Sequence, residues 1–256
     1  MPTVAFVREP SAALERCELT HLQRVVIDVE RARAQHARYA AELRRLGATV
    51  NWLPALEDHP DGVFVEDTAV ILPDVAVITR PGVRSRQGEV TSVAEALRVL
   101  RPLRSIEAPA SLDGGDVLRL GRTLMVGLSS RTNAEGYSQL QAVLAEFGYA
   151  VQAVRVDGCL HLKSACSRLA PDTVLANLVY IDRKLLGDVR VIEVDSREPD
   201  AANTLTVGGV TLVSTAFPHT EEKLRRSGIM TKSLDVSELH KAEAGLTCMS
   251  LVLPEC

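Results

Sequence analysis

Short apolar runs, rich in β-branched residues, recur along the chain in a fixed order. Runs at 68–72 and 75–79 flank a Pro-Asp turn, and an amphipathic segment at 90–100 leads to a third run at 104–107. The same order returns as a strand at 116–120, a Gly-Arg turn, a strand at 123–128, a helix at 134–147 and a strand at 150–156. The pattern predicts a strand–turn–strand–helix–strand unit that repeats about every 40 to 50 residues.

The rest of the chain completes five copies of this unit. The third copy comprises a strand entry near Lys163 and strands at 173–178 and 189–194. The fourth comprises strands at 204–207 and 210–214, a short helix at 221–226 and a strand at 230–234. The fifth copy is divided between the termini, as strands at 4–8, 49–53 and 247–253 and a long helix at 28–46. We therefore expect a closed ring, in which the last strand pairs with the first segment and removes exposed sheet edges.

The ring makes a prediction about chemistry. The residues that enter the first strand of each copy can all take part in catalysis or binding: Glu66-Asp67, Asp113 with Asp116, His161 with Lys163, Asn203, and Thr247-Cys248. If the five copies surround an axis in one orientation, these entries converge at one end of it. Distant parts of the sequence then share one pocket.

Composition excludes several classes of partner. The net charge is −4, and acidic and basic residues are mixed along the chain, so neither nucleic acid nor a membrane is an expected partner. No apolar run is long enough for a membrane-spanning helix, and the N-terminus lacks a signal peptide. The five cysteines are odd in number and scattered, which indicates reduced thiols and a cytoplasmic location.

Cys248 and His161 are the candidate catalytic pair. A free cysteine is most often a small buried hydrophobe, and this interpretation is kept for Cys17, Cys159, Cys166 and Cys256. Cys248 differs because the repeat directs it to the same point as a histidine and several carboxylates. A thiol beside an imidazole meets the usual requirements of nucleophilic catalysis.

The acidic entries predict a cationic ligand. Glu66 and Asp67 lie inside a hydrophobic run, where carboxylates without partners are costly to bury, and a planar guanidinium is the best-matched organic cation. Zinc is the competing cation, but the sequence has no zinc-ligand spacing, so no metal or other cofactor is expected. Arg86 and Arg131 occupy equivalent loops after the second strands of neighbouring copies, which favours binding of an anionic group such as an α-carboxylate.

Seven motifs, in order and at compatible spacing over nearly the whole chain, resemble those of the dimethylarginine dimethylaminohydrolases. They are Phe-Val-Glu-Asp-Thr-Ala-Val at 64–70, Ile-Thr-Arg-Pro-Gly at 78–82, Leu-Asp-Gly-Gly-Asp-Val at 112–117, Val-Gly-Leu-Ser at 126–129, Arg-Thr-Asn at 131–133, Leu-His-Leu-Lys-Ser at 160–164 and Leu-Thr-Cys at 246–248. The resemblance implies an α/β fold of the pentein type, a five-bladed β/α-propeller of ββαβ repeats, forming a single domain over residues 1–256.

The resemblance also implies a reaction and a role for each site residue. Methylated arginine would be hydrolysed to citrulline and dimethylamine or methylamine. Cys248 would attack the guanidinium carbon, His161 would transfer protons, and Asp113 would bind the guanidinium or orient His161. The remaining positions would bind substrate: Glu66, Asp67 and Asp61 its cationic groups, Arg86 and Arg131 its carboxylate, and Leu19 and Ala242 the pocket lining.

Three alternatives remain open at this point. An arginine or agmatine deiminase would use the same cysteine, histidine and acids, an amidinotransferase is a weaker rival, and a ring of repeats can also be a non-catalytic binding module. Two segments depart from the expected pattern, at 241–245 and 182–187, and both bear on substrate preference rather than on reaction type. The sequence is compatible with a homodimer but does not specify the oligomeric state.

Overall fold

The computed structural model describes residues 3–253, and within that range the chain forms five three-stranded sheets of one design. In each sheet the middle strand is antiparallel to the strand on one side and parallel to the strand on the other. The parallel connection contains a helical segment. This is the ββαβ unit predicted from the sequence.

The bounds of the strands follow the apolar runs closely. They are β1 (Val4–Val7), β2 (Thr49–Trp52), β3 (Ala69–Ile71), β4 (Ala76–Ile78), β5 (Leu103–Ser105), β6 (Val117–Leu120), β7 (Thr123–Leu128), β8 (Ala150–Arg155), β9 (Cys166–Ala170), β10 (Thr173–Ala176), β11 (Arg190–Glu193), β12 (Leu205–Val207), β13 (Val210–Ser214), β14 (Thr231–Leu234) and β15 (Leu251–Leu253). The helices are α1 (Val29–Arg45), α2 (Val90–Arg98), α3 (Ala134–Ala145), α4 (Leu162–Ala165), α5 (Pro218–Arg226) and α6 (Ser237–His240).

Local sequence explains where these elements begin and turn. The side chain of Asp28 caps α1 by accepting the N–H of Arg31, and Asn133 caps α3 by accepting the N–H of Gly136. Gly121, at φ 63°, forms the tight connection between β6 and β7. The predicted third copy is the least regular, and a 3₁₀ turn at Arg183–Leu186 takes the place of its helix.

The terminal strands pair as expected. β1 is antiparallel to β15, with Val4 opposite Leu253, and parallel to β2. The expected structural role of Cys256 lies outside the described residues. A cavity of about 220 Å³ is lined by residues from the first strand of every copy, namely β15, β3, β6, β9 and β12.

The segments that enter the first strands differ from the prediction. Lys163 and Cys248 were expected at the start of a strand. Lys163 instead lies in the short helix α4, and Cys248 lies in a turn before β15. Short 3₁₀ turns at Val65–Thr68 and Gly114–Asp116 also precede β3 and β6. No helix within residues 3–253 is long and apolar enough to cross a bilayer.

Candidate active site

His161 lies at the N-terminus of α4, with its imidazole buried among carboxylates. Its Nε2 is 3.1 Å from Oδ2 of Asp113 and 4.0 Å from Oδ1 of Asp67. Burial alone would lower the pKa of His161, but the charges of Asp67 and Asp116 and the hydrogen bond with Asp113 outweigh it and raise the pKa to about 9. The imidazole is therefore protonated at neutral pH.

The acids around His161 are fixed by the backbone. Asp113 accepts the N–H of Gly82 at 2.8 Å, and Asp67 accepts the N–H of Gly115 at 2.9 Å. Any side chain at position 115 would bring its Cβ within 2.8 Å of the imidazole Nδ1 of His161. The Gly-Gly pair of this motif therefore allows the close approach of the two acidic segments to the imidazole.

Asp116 fixes the segment that carries His161 through three hydrogen bonds. One oxygen accepts the N–H of Leu162, at 2.9 Å, and the other accepts the hydroxyls of Ser129 and Thr132. Burial raises the pKa of Asp116 to about 6, although the charge of His161 and these hydrogen bonds oppose the rise. Asp116 thus fixes the first residue of α4, next to His161.

Cys248 is half-buried, and its thiol contacts the backbone of its own turn. Its Sγ accepts the N–H of Gly245 at 3.3 Å, and its carbonyl accepts the N–H of Glu66 at 3.1 Å. Burial, followed by the charges of Glu66 and Asp67, raises the pKa of the thiol well above its usual range. The surroundings of Cys248 therefore favour the neutral thiol over the thiolate.

Glu66 joins the segment of Cys248 to that of His161. One carboxylate oxygen accepts the ammonium of Lys163 at 2.7 Å, and the other accepts the hydroxyl of Thr247 at 2.5 Å. Asn203 in turn binds both the N–H and the hydroxyl of Thr247. These hydrogen bonds connect entry segments from four of the five copies.

Arg86 lies in a buried ion-pair cluster. Its guanidinium donates to Asp67 at 2.6 Å, to Glu89 at 2.9 Å and to the carbonyl of Phe64 at 2.8 Å. Burial opposes the charged form, but Glu89 and Asp67 raise the pKa of Arg86 well above its usual value. In this arrangement the guanidinium holds Asp67 and Glu89, and its role in binding a substrate carboxylate stays a prediction.

Arg131 has a different environment. Its guanidinium donates to the hydroxyl of Thr20 at 3.0 Å, so it contacts the loop at 18–22. That loop is also fixed by Glu243, whose carboxylate accepts the N–H groups of Thr20, His21 and Leu22. Arg131 and Glu243 therefore tie the loop to two different copies of the repeat.

The three remaining predicted residues lie along the same loop. Both oxygens of Asp61 accept the N–H of Glu18, at 3.1 and 3.3 Å, and burial raises the pKa of Asp61 to about 6 against the effect of Arg86. Leu19 and Cys248 pack against the apolar cluster that contains Ala242. Leu19, Ala242 and Cys248 thus share one apolar cluster, and the role of Leu19 and Ala242 in lining the pocket stays a prediction.

Two residues of the site, Glu89 and Glu243, did not emerge as candidates from the sequence, although each fixes a functional side chain or loop by the hydrogen bonds described above. Asp116, Asn203 and Thr247 were expected only as strand entries, and the structure gives each of them its hydrogen-bond partners. Glu89 could have been recognised from its i, i+3 spacing to Arg86. The other contacts join distant segments and have no local signal.

One part of the site has the geometry of a cation site. Asp67, Asp113 and His161 each offer one ligand atom, and these atoms lie within 4.8 Å of one another. The same three atoms also suit a guanidinium, because two of the groups are carboxylates.

Comparisons with known proteins agree with this geometry. No family model matches the chain. The chain is 38% identical over 253 residues to an N(G),N(G)-dimethylarginine dimethylaminohydrolase of Streptomyces coelicolor, covering 98% of this chain and 97% of that one. It is 35% identical over 226 residues to the enzyme of that name from Pseudomonas aeruginosa, covering 88% of this chain and 89% of the relative. The structure of a Cys-to-Ser mutant of the Pseudomonas protein with citrulline superposes with a TM-score of 0.93, at 33% identity and over 99% of this chain and 100% of that chain.

Proposed function

This chain belongs to the dimethylarginine dimethylaminohydrolase family, and we propose that it hydrolyses Nω-methylated arginines to citrulline and dimethylamine or methylamine. The observation that carries the proposal is that Asp113 and Asp67 lie beside the imidazole of His161, while the charges of Glu66 and Asp67 act on the thiol of Cys248. Carboxylates in this number suit a guanidinium, and the cysteine and histidine suit covalent C–N cleavage.

The charges of the site account for the state of the thiol. His161 is protonated and Cys248 is neutral before substrate binds, because the same carboxylates favour a cation and disfavour an anion. A bound guanidinium brings a positive charge next to these acids and so lowers the pKa of Cys248. Substrate binding thus promotes formation of its own nucleophile.

Each step then transfers a defined group. As the guanidinium binds, the thiol of Cys248 loses its proton to solvent. The thiolate forms a bond to the guanidinium carbon, and His161 gives its proton to the substituted nitrogen as the C–N bond breaks. Dimethylamine leaves, and the carbon remains on sulfur as a thiouronium. Water then adds to that carbon and gives one proton to the now neutral His161. The C–S bond breaks to restore the thiolate, the second proton of the water passes to solvent, and citrulline is released.

The other predicted residues fall into two groups, those that would bind substrate and those that would position a catalytic side chain. We assign Glu66 and Asp67 to the guanidinium, Asp61 to the α-ammonium and Arg131 to the α-carboxylate, with Leu19 and Ala242 lining the pocket. The ion pairs of Arg86 with Asp67 and Glu89 support a positioning role for Arg86. Asp113 orients His161 in this assignment, as their 3.1 Å separation supports.

We also propose that the chain forms a five-bladed propeller, as one domain over residues 1–256. The five ββαβ sheets and the cavity lined by all their first strands support this arrangement. The four free cysteines at 17, 159, 166 and 248 support the cytoplasmic location. Independence from any cofactor and a homodimeric state stay predictions.

A parallel assay tests the activity. Citrulline release would be measured with asymmetric dimethylarginine, monomethylarginine, arginine and agmatine at equal concentrations, with dimethylamine or methylamine quantified in the same samples. We expect the methylated arginines to react fastest and to give one amine per citrulline. Preference for arginine or agmatine would instead indicate a deiminase, and no turnover of any of the four would contradict the proposal.

A further inference from the structure

A second cavity, of about 330 Å³, lies between the segment that leads to His161 and the turn that carries Cys248. Gly158, Cys159 and Leu160 line one side, directly before His161. Ala244 and Gly245 line another, and the N–H of Gly245 donates to the sulfur of Cys248. The cavity therefore borders the segment that precedes His161 and the turn that carries Cys248.

The lining of this cavity suits an organic cation. Asp200 lines it and has no hydrogen-bond or ion-pair partner in the part of the chain that the structure describes, residues 3–253. Its charge acts on three neighbouring groups: it contributes to the raised pKa of Cys159 and of Tyr180 and opposes the lowering of the pKa of His240. Asp200 is thus an exposed carboxylate that lines the cavity and has no hydrogen-bond or ion-pair partner among residues 3–253.

An aromatic surface lies in the same cavity. The rings of Phe217 and His240 stack with centroids 5.6 Å apart and planes inclined by 29°. Both residues line the cavity. Burial lowers the pKa of His240, so its imidazole is neutral and does not oppose a cation. A carboxylate beside aromatic faces is a favourable environment for an alkylammonium ion.

The other carboxylate of the cavity is already occupied. Glu243 accepts three backbone N–H groups of the loop at 20–22. Asp200 is therefore the carboxylate of this cavity with free acceptor capacity.

We propose that this cavity receives the alkylammonium product, with Asp200 as the anionic partner and the Phe217–His240 stack as the apolar wall. The assignment of the product rests on the proposed function. Dimethylamine takes up a proton at neutral pH once it leaves the carbon, and the acid-lined cavity beside the sulfur gives the resulting cation a place away from the reaction centre. Because the cavity is larger than dimethylammonium, it also has room for longer N-alkyl substituents.

Amide chemical shifts during a titration with dimethylammonium chloride test the proposal without requiring turnover. We expect the amides of Ala216, Phe217 and Gly245 to shift saturably in the wild-type protein, beyond the effect of sodium chloride at equal ionic strength. Asp200→Asn should weaken the fitted affinity by about twofold to fivefold, the range expected for a single exposed charge pair. Asp188→Asn, an exposed loop aspartate outside the cavity, should leave the affinity unchanged.

Two results would overturn the assignment: no saturable shift at the cavity amides of the wild type, or equal affinity in the wild type and in Asp200→Asn. The citrulline assay reports separately on the reaction. Citrulline release without cation binding would reject the cavity and leave the reaction intact, whereas cation binding without citrulline release would reject the reaction.

Discussion

His161 and Cys248 lie in one site, yet the same carboxylates affect them in opposite ways. Asp67, Asp116 and Asp113 hold the imidazole in its charged form, with a pKa raised to about 9. Burial, Glu66 and Asp67 hold the thiol in its neutral form. The acid is therefore ready before substrate binds, whereas the nucleophile is not. In the proposed mechanism, this difference makes formation of the thiolate depend on a cationic substrate.

Replacing the nucleophile should have the largest effect. Cys248→Ser should lower kcat by about 10⁴-fold or more, because a hydroxyl at this position has no group placed to remove its proton. Binding of dimethylarginine should remain on the micromolar scale, since the carboxylates are untouched. Calorimetric titration and citrulline release measure the two quantities, and near-normal turnover in this variant would contradict the assignment.

Weakening general acid catalysis by His161 should have the next largest effect on kcat. Asp113→Asn removes a charge that raises the pKa of His161, so the alkaline limb of kcat, expected near pH 9 in the wild type, should move to lower pH. The loss of general acid catalysis at alkaline pH should be about 10²-fold. A full pH profile checks this, and an unchanged alkaline limb would show that Asp113 does not act on His161.

The same histidine makes a prediction for stability. Its folded pKa of about 9 exceeds the ordinary 6.5, so its contribution to the free energy of unfolding is fully present below pH 6.5 and is lost as pH rises through 9. The free energy of unfolding, measured with urea, should fall between pH 6.5 and pH 9, and it should fall less in Asp113→Asn than in the wild type. Equal slopes in the two proteins would contradict the raised pKa.

Zinc should inhibit the enzyme by occupying the acids that would hold the guanidinium. The ligand atoms of Asp67, Asp113 and His161 lie within 4.8 Å of one another, so these three residues could hold the ion. We expect Zn²⁺ to compete with substrate and a chelator to restore the rate. Activity that disappears with chelator and returns with zinc would reverse this interpretation.

A smaller effect is expected at the loop over the site. Glu243→Gln keeps the shape but removes the charge that holds the N–H groups of Thr20, His21 and Leu22. KM should rise by about threefold with little change in kcat, because charge-assisted hydrogen bonds are roughly twice as strong as neutral ones. A fall in kcat at constant KM would place Glu243 in the chemistry instead.

The fold was largely predictable because its units are local. Alternating apolar runs and dipeptide turns such as Gly121-Arg122 predicted the hairpins, and the divided fifth copy predicted the pairing of β1 with β15. The short helical entries were not predictable in the same way. Lys163 lies in α4 because Asp116, 46 residues from Leu162, accepts the N–H that begins this helix.

The members of the site were predictable, but their partners were not. Convergence of the repeat entries identified Cys248, His161 and the acids without knowledge of any contact. Arg86 was expected to bind a substrate carboxylate, whereas it pairs with Asp67, a residue 19 positions away, as well as with Glu89. Side-chain partners across copies depend on the register between sheets, which local sequence patterns do not specify.

Trapping the covalent intermediate tests the central claim most directly. Wild-type protein would be mixed with excess dimethylarginine, quenched in acid during steady turnover, digested and analysed by mass spectrometry. We predict an amidino adduct on the peptide that contains Cys248 in the wild type, and no adduct in Cys248→Ser. Turnover with no adduct on that peptide, or with the adduct on another cysteine, would contradict the account.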